Sequence, residues 1–364
     1  AARFDYPEDV VFSPDGGYAL IADWDNNAVR KLDLATAEVT TFVAPGAGGM
    51  DDVRAVDISS DGSFALVGGV ADCALFRVDI TGGAASGVTQ IAGNSTCDPV
   101  DGVGLDASFD DLDGIAISPD GSVALVSERF PKVIRLVDLA TLEVTTVAGA
   151  AWEDTTMRDG PGAAARVYQP IGVDFGPDGT WALTTVQLGH AVARLDLTTL
   201  AKAQVQTVVN RSPASDGFGP EARLYNPSAI AVSAYGNFAV VADSGNNAVR
   251  VLTLGGEREA LSAAVAAAAN AGDGLAAAAD NARPLPGAAG PARSQPAHPT
   301  DRSSRSAPLR SASSSSAVPD PLWSPTLDLP PATLATLAGQ SGSWGDDDGI
   351  GSAARFNWPE GIAL

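Results

Sequence analysis

The residues that could do chemistry recur at fixed distances from a glycine. Gly16, Gly62, Gly121, Gly179 and Gly236 each close a turn of the "SPDG" kind or a variant of it. Seven residues later stand Asp23, Glu128 and Asp243, and fourteen later stand Arg30, Arg135 and Arg250. The other two units lack both, with Gly69 and Phe76 in one and Val186 and Ala193 in the other. Acid and arginine come and go together, which predicts a charge-assisted pair across two neighbouring strands of one unit. A ring of acids gripping a ligand is the alternative, and it fits worse because each acid has an arginine in its own unit.

Few other residues could react. The chain has only two histidines, His190 and His298, too few for the His-rich ligand set of a catalytic zinc. A Ser-His-Asp triad would have to use His190, and nothing around "QLGHAVARL" suggests one. "GDDDG" (Gly345 to Gly349) offers oxygens but lacks the spacing of an EF-hand loop. It reads as a solvated turn with Ca²⁺ as the alternative, so no cofactor is expected. The two cysteines, Cys73 and Cys97, fall in loops of one unit and are a disulfide candidate. Beside Cys97 lies the sequon "NST" at Asn94, and a second, "NRS" at Asn210, is weakened by Pro213. An even cysteine count with sequons in loops favours an extracellular or cell-surface protein; two free thiols and chance sequons are the alternative.

The elements that must carry these residues are short strands. Around each key glycine lie four apolar runs of strand length, such as "DGIAIS", "VALVSE", "VIRLVDL" and "EVTTVAG". They are rich in Val, Ile, Leu, Thr and aromatics and bounded by Gly, Pro, Asp and Asn. Four strands per unit, repeated with glycine spacings of 46, 59, 58 and 57, describe an all-β fold, a β-propeller of four-stranded antiparallel blades. Between units runs a second signature, "DGxG", at Asp101, Asp159, Asp216 and Asp348. The alanines after it (Ala107, Ala165, Ala222, Ala354) sit where only a methyl fits, and Phe109, Val167, Leu224 and Phe356 are expected to pack between blades. Asp33, Asp79, Asp138 and Asp196 close the third strands and read as turn formers. "ARFNWPEGIAL" (Ala354 to Leu364) repeats "ARFDYPEDVVF" near the start, so the sequence holds five full repeats and the first strand of a sixth. Six blades are expected in the full chain.

Composition narrows the function. The formal net charge is −22, and outside residues 255–330 there are 37 acids against 16 basic residues, which argues against nucleic-acid binding. The longest apolar stretch, "ALSAAVAAAA", is too short for a membrane helix, so no membrane insertion is expected. The chain divides into 1–254, the first part of the repeats; 255–331, an Ala/Ser/Pro-rich insertion expected to be largely disordered; and 332–364, the last strand of unit 5 and the start of unit 6. The insertion falls between the third and fourth strands of unit 5, at an exposed tip. It is a spacer on one reading and a docking arm or glycosylated loop on the other.

Units of this form resemble NHL repeats. The resemblance covers nearly the whole chain outside the insertion and rests on Pro7, Pro170, Pro227 and Pro359 before the inner strand. It rests also on "ADWDNNAVR" (Ala22 to Arg30) and "ADSGNNAVR" (Ala242 to Arg250) at the second hairpin. Units 2 and 3 depart from it, with Val53 and Leu112 in place of the proline and Gly69 in place of the hairpin acid of unit 2. The resemblance implies a non-enzymatic protein–protein interaction or structural module. Its partners would be other proteins, copies of itself or filament partners. The style also resembles large algal surface proteins, including those of ciliary filaments. The alternative is a lactonase- or lyase-like propeller enzyme with a metal in its central channel, although no catalytic motif of that kind matches.

Overall fold

The computed structural model describes residues 3–153, 156–199, 203–211, 217–218, 223–254, 333–339, 345 and 354–364. Residues 255–331 and the run 346–349 lie outside the described residues, so the expectations for the insertion and for the Asp-rich loop have no structural counterpart here.

Each repeat folds into one antiparallel sheet. Blade 1 is β1 (Pro7–Phe12), β2 (Tyr18–Asp23), β3 (Ala28–Asp33) and β4 (Val39–Val43). Blade 2 is β5 (Val53–Ile58), β6 (Phe64–Gly69), β7 (Ala74–Thr81) and β8 (Ala84–Gly93). After a two-residue strand, β9 (Gly102–Val103), blade 3 follows as β10 (Leu112–Ile117), β11 (Val123–Glu128), β12 (Val133–Asp138) and β13 (Glu143–Gly149). After β14 (Gly160–Pro161), blade 4 is β15 (Pro170–Phe175), β16 (Trp181–Val186), β17 (Ala191–Asp196) and β18 (Gln204–Arg211). After β19 (Gly217–Phe218) and β20 (Arg223–Leu224), blade 5 is β21 (Ile230–Val232), β22 (Phe238–Asp243), β23 (Ala248–Thr253) and β24 (Thr333–Gly339). Strand order within each blade follows the sequence, so the five sheets make five blades of a β-propeller.

Local chemistry explains the hairpins. The five key glycines have φ between +65° and +70°, a left-handed conformation that costs glycine little. The Ser and Asp of the same turns lock it: Ser118 Oγ donates to Asp120 Oδ1 at 2.6 Å and accepts from Val123 N at 3.1 Å. At the third strand's end, Asp138 Oδ1 accepts from Ala140 N and Thr141 N at 2.9 and 2.7 Å, an Asx turn. Glycine turns and third hairpins share one end of the propeller, here the turn face. Second hairpins and blade-to-blade connections share the other, the hairpin face.

The core lies between blades rather than within them. Leu20 and Val29 of blade 1 pack with Val56, Val67 and Phe76 of blade 2, and Leu66 and Leu75 of blade 2 pack with Phe109, Leu112 and Val126. Phe109, Val167 and Leu224, the apolar residues after the "DGxG" loops, are all buried at three successive junctions. Ala107 and Ala165 are fully buried beside them. Burying one such large side chain contributes about 1.5–3 kcal/mol.

The "DGxG" loop has a second role that its sequence does not announce. β9 pairs with β13, β14 with β18 and β19 with β24, so each loop adds a short strand to the outer edge of the blade it enters. It thereby covers an edge whose backbone groups would otherwise be open.

The ring holds a sixth inner position. Residues 354–364 lie between blades 5 and 1. Trp358 N donates to Asn247 Oδ1 at 2.9 Å, Ser228 Oγ donates to Glu360 O at 3.0 Å, and Gly361 lies against the Glu8 and Asp9 backbone. The expected first strand of a sixth unit is not formed as a strand. A strand is defined by a ladder of hydrogen bonds, and among the described residues no second strand stands beside this segment.

Candidate functional site at the channel mouth

The inner strands surround a central channel, and a bulge decides what faces its hairpin-face mouth. In β1, β5, β10 and β15 the pairing register shifts at the second residue, so Glu8, Arg54, Asp113 and Ile171 are passed over. A bulged residue is freed from the ladder and re-aimed. Arg54 reaches across the blade junction to Asp113 Oδ1 at 3.0 Å and Asp111 Oδ1 at 3.1 Å. Its guanidinium stacks 4.2 Å from the Trp24 ring centroid, and the Trp24 indole N–H bonds to Asp52. Arg129 pairs with Asp113 Oδ2 at 3.7 Å and donates to Gln187 Oε1 at 2.8 Å. A chain of polar contacts thus runs around the mouth from blade 1 to blade 4.

The mouth remains acidic despite these arginines. Burial, reinforced by the charges of Asp113 and Glu360, pushes the Glu8 carboxyl up to about 8. Burial and neighbouring Asp113 push Asp111 up to about 8 as well. Deeper in the channel, three aspartates bridge blades. Asp9 Oδ2 accepts from Val56 N at 3.0 Å, Asp57 Oδ2 from Ile117 N at 2.6 Å and Asp174 Oδ2 from Val232 N at 2.6 Å. Burial raises their carboxyls to about 7, about 8 and about 7; the charges of Asp174 and Asp9 add to it at Asp57, and that of Asp9 adds to it at Asp174. Among the described residues, no three His, Cys, Asp or Glu side chains converge as a metal site.

The residues singled out in the sequence sit away from the channel. Glu128 Oε1 and Arg135 Nη1 are 2.7 Å apart with both side chains fully buried, and Asp243 Oδ2 and Arg250 Nη1 are 3.2 Å apart. In blade 1 the Asp23–Arg30 distance is 3.8 Å, and Asn26 Nδ2 is the nearer donor to Asp23 at 2.9 Å. Each acid also accepts the backbone N–H of the chain entering its blade, at Asp5, Asp110 and Tyr225. Arg135 further binds Asp101 of the "DGxG" loop at 2.7 Å. These groups fasten the hairpin to the incoming loop and to the third strand.

Cys73 and Cys97 form a disulfide, with Cα atoms 5.1 Å apart, that ties the second hairpin of blade 2 to the connection leaving it. The Asn94 amide nitrogen, which a glycan would occupy, donates to Ala107 O at 2.9 Å and Leu105 O at 3.2 Å and holds that connection together. Asn210 lies in β18 and its side chain is outside the described residues. His190 sits in the second hairpin of blade 4, its Nδ1 accepting from Asn226 N at 3.1 Å and its ring tilted over Tyr225.

Two further patterns were legible but were not drawn from the sequence. Two residues after the key glycine, Tyr18, Phe64 and Trp181 lie under Lys31, Arg77 and Arg194, at 4.1, 3.8 and 4.6 Å. In the other two units the equivalent pairs are Val123 with the apolar Leu136 and Phe238 with the apolar Val251. The second pattern is the gathering of exposed aromatics on the hairpin face. Tyr6 and Trp152 are 52% and 53% exposed, and Phe130, Tyr225 and Trp358 are open beside them. Among the described residues, Tyr235 and Phe12 are the exposed aromatics of the turn face.

No family model matches the chain. Over 279 residues, 70% of its length, it is 26% identical to the protein SUPPRESSOR OF QUENCHING 1, chloroplastic, of Arabidopsis thaliana, of which it spans 25%. A Bacteroides thetaiotaomicron structural genomics protein of unknown function is similar over 100% of this chain and 65% of its own, at 15% identity and a TM-score of 0.58. Auxiliary nutrient binding proteins from Bacteroides thetaiotaomicron and Bacteroides ovatus match 69% of this chain and 55% and 56% of theirs. Their identities are 15% and 17%, and both have a TM-score of 0.52. At such identities the structural likeness concerns the fold alone, and that fold is the β-propeller the five sheets build.

Proposed function

We propose that the chain is an NHL-type propeller that works as a non-enzymatic binding or structural module, with the hairpin face as its binding face. One observation carries this reading: large aromatic side chains are left open on the face where blade connections and second hairpins meet. Aromatic residues are enriched at protein interfaces because they bury much area at low entropic cost. The disulfide favours an oxidising setting, and an extracellular or cell-surface assembly, such as a filament of a cilium, is the setting proposed. The plant relative named above is a chloroplast protein, so location must be measured on this protein itself.

Site-specific photo-crosslinking in the cells that make the protein tests the reading. Crosslinkers replace Tyr6, Phe130 and Trp152 on one face and Tyr235 on the other. Protein adducts concentrated on the first three are expected, with antibody staining at the cell surface. No adducts from the hairpin face, together with stoichiometric Zn²⁺ or Ca²⁺ in the purified protein, would overturn it in favour of a metal-dependent enzyme.

A further inference from the structure

Two rims of the hairpin face carry opposite charge beside open apolar side chains. We infer that two copies of this chain pair through that face as a twofold dimer, the blade 3 rim of each seated on the blade 1 rim of the other. This rests on the reading of the hairpin face as the binding face and names its partner as a second copy of the chain.

The blade 3 rim is cationic and apolar. Of the five second hairpins only that of blade 3, "RFPK" (Arg129 to Lys132), holds a lysine or arginine, whereas those of blades 1 and 2 hold Asp25 and Asp72. Lys132 Nζ donates to Glu153 O at 3.5 Å and Arg158 Nε to Ala164 O at 3.0 Å. Among the described residues neither cation meets a carboxylate. The described acids of the adjoining connections are already taken. Arg166 Nη2 binds Glu153 Oε2 at 2.8 Å, Thr207 N and Oγ1 bind Asp159 Oδ1 at 2.9 and 2.6 Å, and the Trp152 indole binds Asp98 Oδ1 at 3.4 Å. Trp152 is tied to the same hairpin, its N–H donating to Pro131 O at 3.0 Å. Thirteen large apolar side chains are exposed among the described residues, and five of them, Val100, Val103, Leu105, Phe130 and Trp152, belong to blade 3 and its two connections. Apolar side chains gathered in this way, rather than scattered singly, mark an interaction site.

The blade 1 rim is the complement. Asp5, Asp25 and Asp51 are exposed there against one exposed base, Arg3. Asp25 N donates to Asp5 O at 3.1 Å, which holds these two residues side by side, and among the described residues no donor meets either carboxylate. Phe4 and Tyr6 stand beside them, 39% and 52% exposed. A twofold axis lying in the plane of the face brings one rim onto the other twice, so every favourable contact is made in duplicate. Lys132 and Arg158 then meet Asp5 and Asp25, and Trp152 and Phe130 meet Phe4 and Tyr6. Two chains of net charge −22 repel at a distance. At about 0.15 M salt that field decays within about 8 Å, so the local pairs decide the contact.

Sedimentation equilibrium of the whole chain at about 0.15 M salt tests the inference, with a dimer expected at about 50 μM. Lys132→Glu with Arg158→Glu, and separately Asp5→Lys with Asp25→Lys, should each weaken the dimer roughly tenfold or more by setting like charges together. An equimolar mixture of the two variants should recover the native affinity to within about threefold, because each contact again joins opposite charges. Both variants remain strongly acidic, so attraction between net charges cannot produce that recovery. Trp152→Ala should weaken the dimer roughly tenfold, and Tyr235→Ala, on the turn face, less than about twofold. Circular dichroism and urea midpoints confirm that each variant folds. An unaltered chain that stays monomeric at this concentration would overturn the inference, as would a mixture of the two variants that fails to associate. A monomeric chain whose hairpin face photo-crosslinks to a different protein would defeat this inference and leave the binding-face reading intact. Self-crosslinks from Tyr235 in place of Tyr6 and Trp152 would defeat both.

Discussion

Arg135 is fully buried and bound to three partners, and its removal has a calculable cost. Its guanidinium donates to Glu128 Oε1 at 2.7 Å, Asp101 Oδ1 at 2.7 Å and Ser108 O at 3.2 Å, with no part of it exposed. Asp101 is half exposed and can turn to water; Glu128 is fully buried and cannot. Arg135→Met therefore strands one carboxylate in the interior, at a cost of about 3–5 kcal/mol. Replacing both partners, Glu128→Leu with Arg135→Met, removes the stranded charge. Blade 4 already places Val186 and Ala193 at the equivalent positions, both fully buried. The double variant should then cost less than about 2 kcal/mol, because apolar replacement of a whole buried pair is often near neutral. Urea unfolding of the four proteins of this cycle, at constant denaturant slope, gives the coupling directly. Lowering the pH to about 5 should restore part of the single variant's loss, since the stranded carboxyl then takes up a proton. A single variant costing under about 1 kcal/mol, or a double variant costing the sum of the two singles, would refute the claim that the pair is a mutually dependent fastening.

Three more outcomes follow from the same physical reasoning. The carboxyls of Asp9, Asp57 and Asp174 are raised from the ordinary 3.8 to about 7, about 8 and about 7, so the folded chain holds more protons than the unfolded one between those limits. Stability should fall as pH rises from about 5 to about 8 and then level off; urea midpoints that rise over this range would contradict it. Reducing the Cys73–Cys97 bond, whose partners lie 24 residues apart, should lower stability by about 3 kcal/mol. Cys97→Ser should show the same loss without reductant and no further response to it. Gly114→Ala should cost roughly 3 kcal/mol or more, because a Cβ there would lie 2.1 Å from Ile171 O of the next blade and 2.7 Å from Ser127 Oγ. Gly46→Ala, with nothing within 4 Å but a φ of +74°, isolates the conformational cost at about 1–2 kcal/mol in a parallel melt.

The blades were legible because their signals are local. A left-handed glycine flanked by apolar runs marks a hairpin within a dozen residues, and tandem repetition makes each unit check the others. The inter-blade role of Phe109 and Val167 could be read for the same reason, since the "DGxG" loop recurs at a fixed place. The channel mouth was not legible. Glu8, Arg54 and Asp113 occupy one structural position yet differ in charge, so no repeated chemistry marks it. The bulge that re-aims them has no sequence signature of its own, and in a plain alternating strand each would read as a solvent-facing residue. Asp9, Asp57 and Asp174 were hidden differently: Asp57 and Asp174 align with Val11, Ala116 and Ala231, and Asp9 aligns with Ala or Gly. The two-residue edge strands are too short to show any apolar period.

One backbone feature gives the hairpin face a property of its own. The residue two before the bulged position has positive φ, between 48° and 61°, at all six inner positions: Tyr6, Asp52, Asp111, Gln169, Asn226 and Trp358. The conformation is held by the surrounding hydrogen bonds, as where Trp24 N donates to Tyr6 O and Val70 N to Asp52 O, and is indifferent to which side chain stands there. Two aromatic, two acidic and two amide side chains therefore occupy equivalent seats. The architecture works like a type wheel: a rigid rim with six equivalent seats, of which Tyr6 and Trp358 stand open while Asp111 is buried in its contact with Arg54. Substitution at the open seats should rewrite what the face recognises while the blades beneath keep their register.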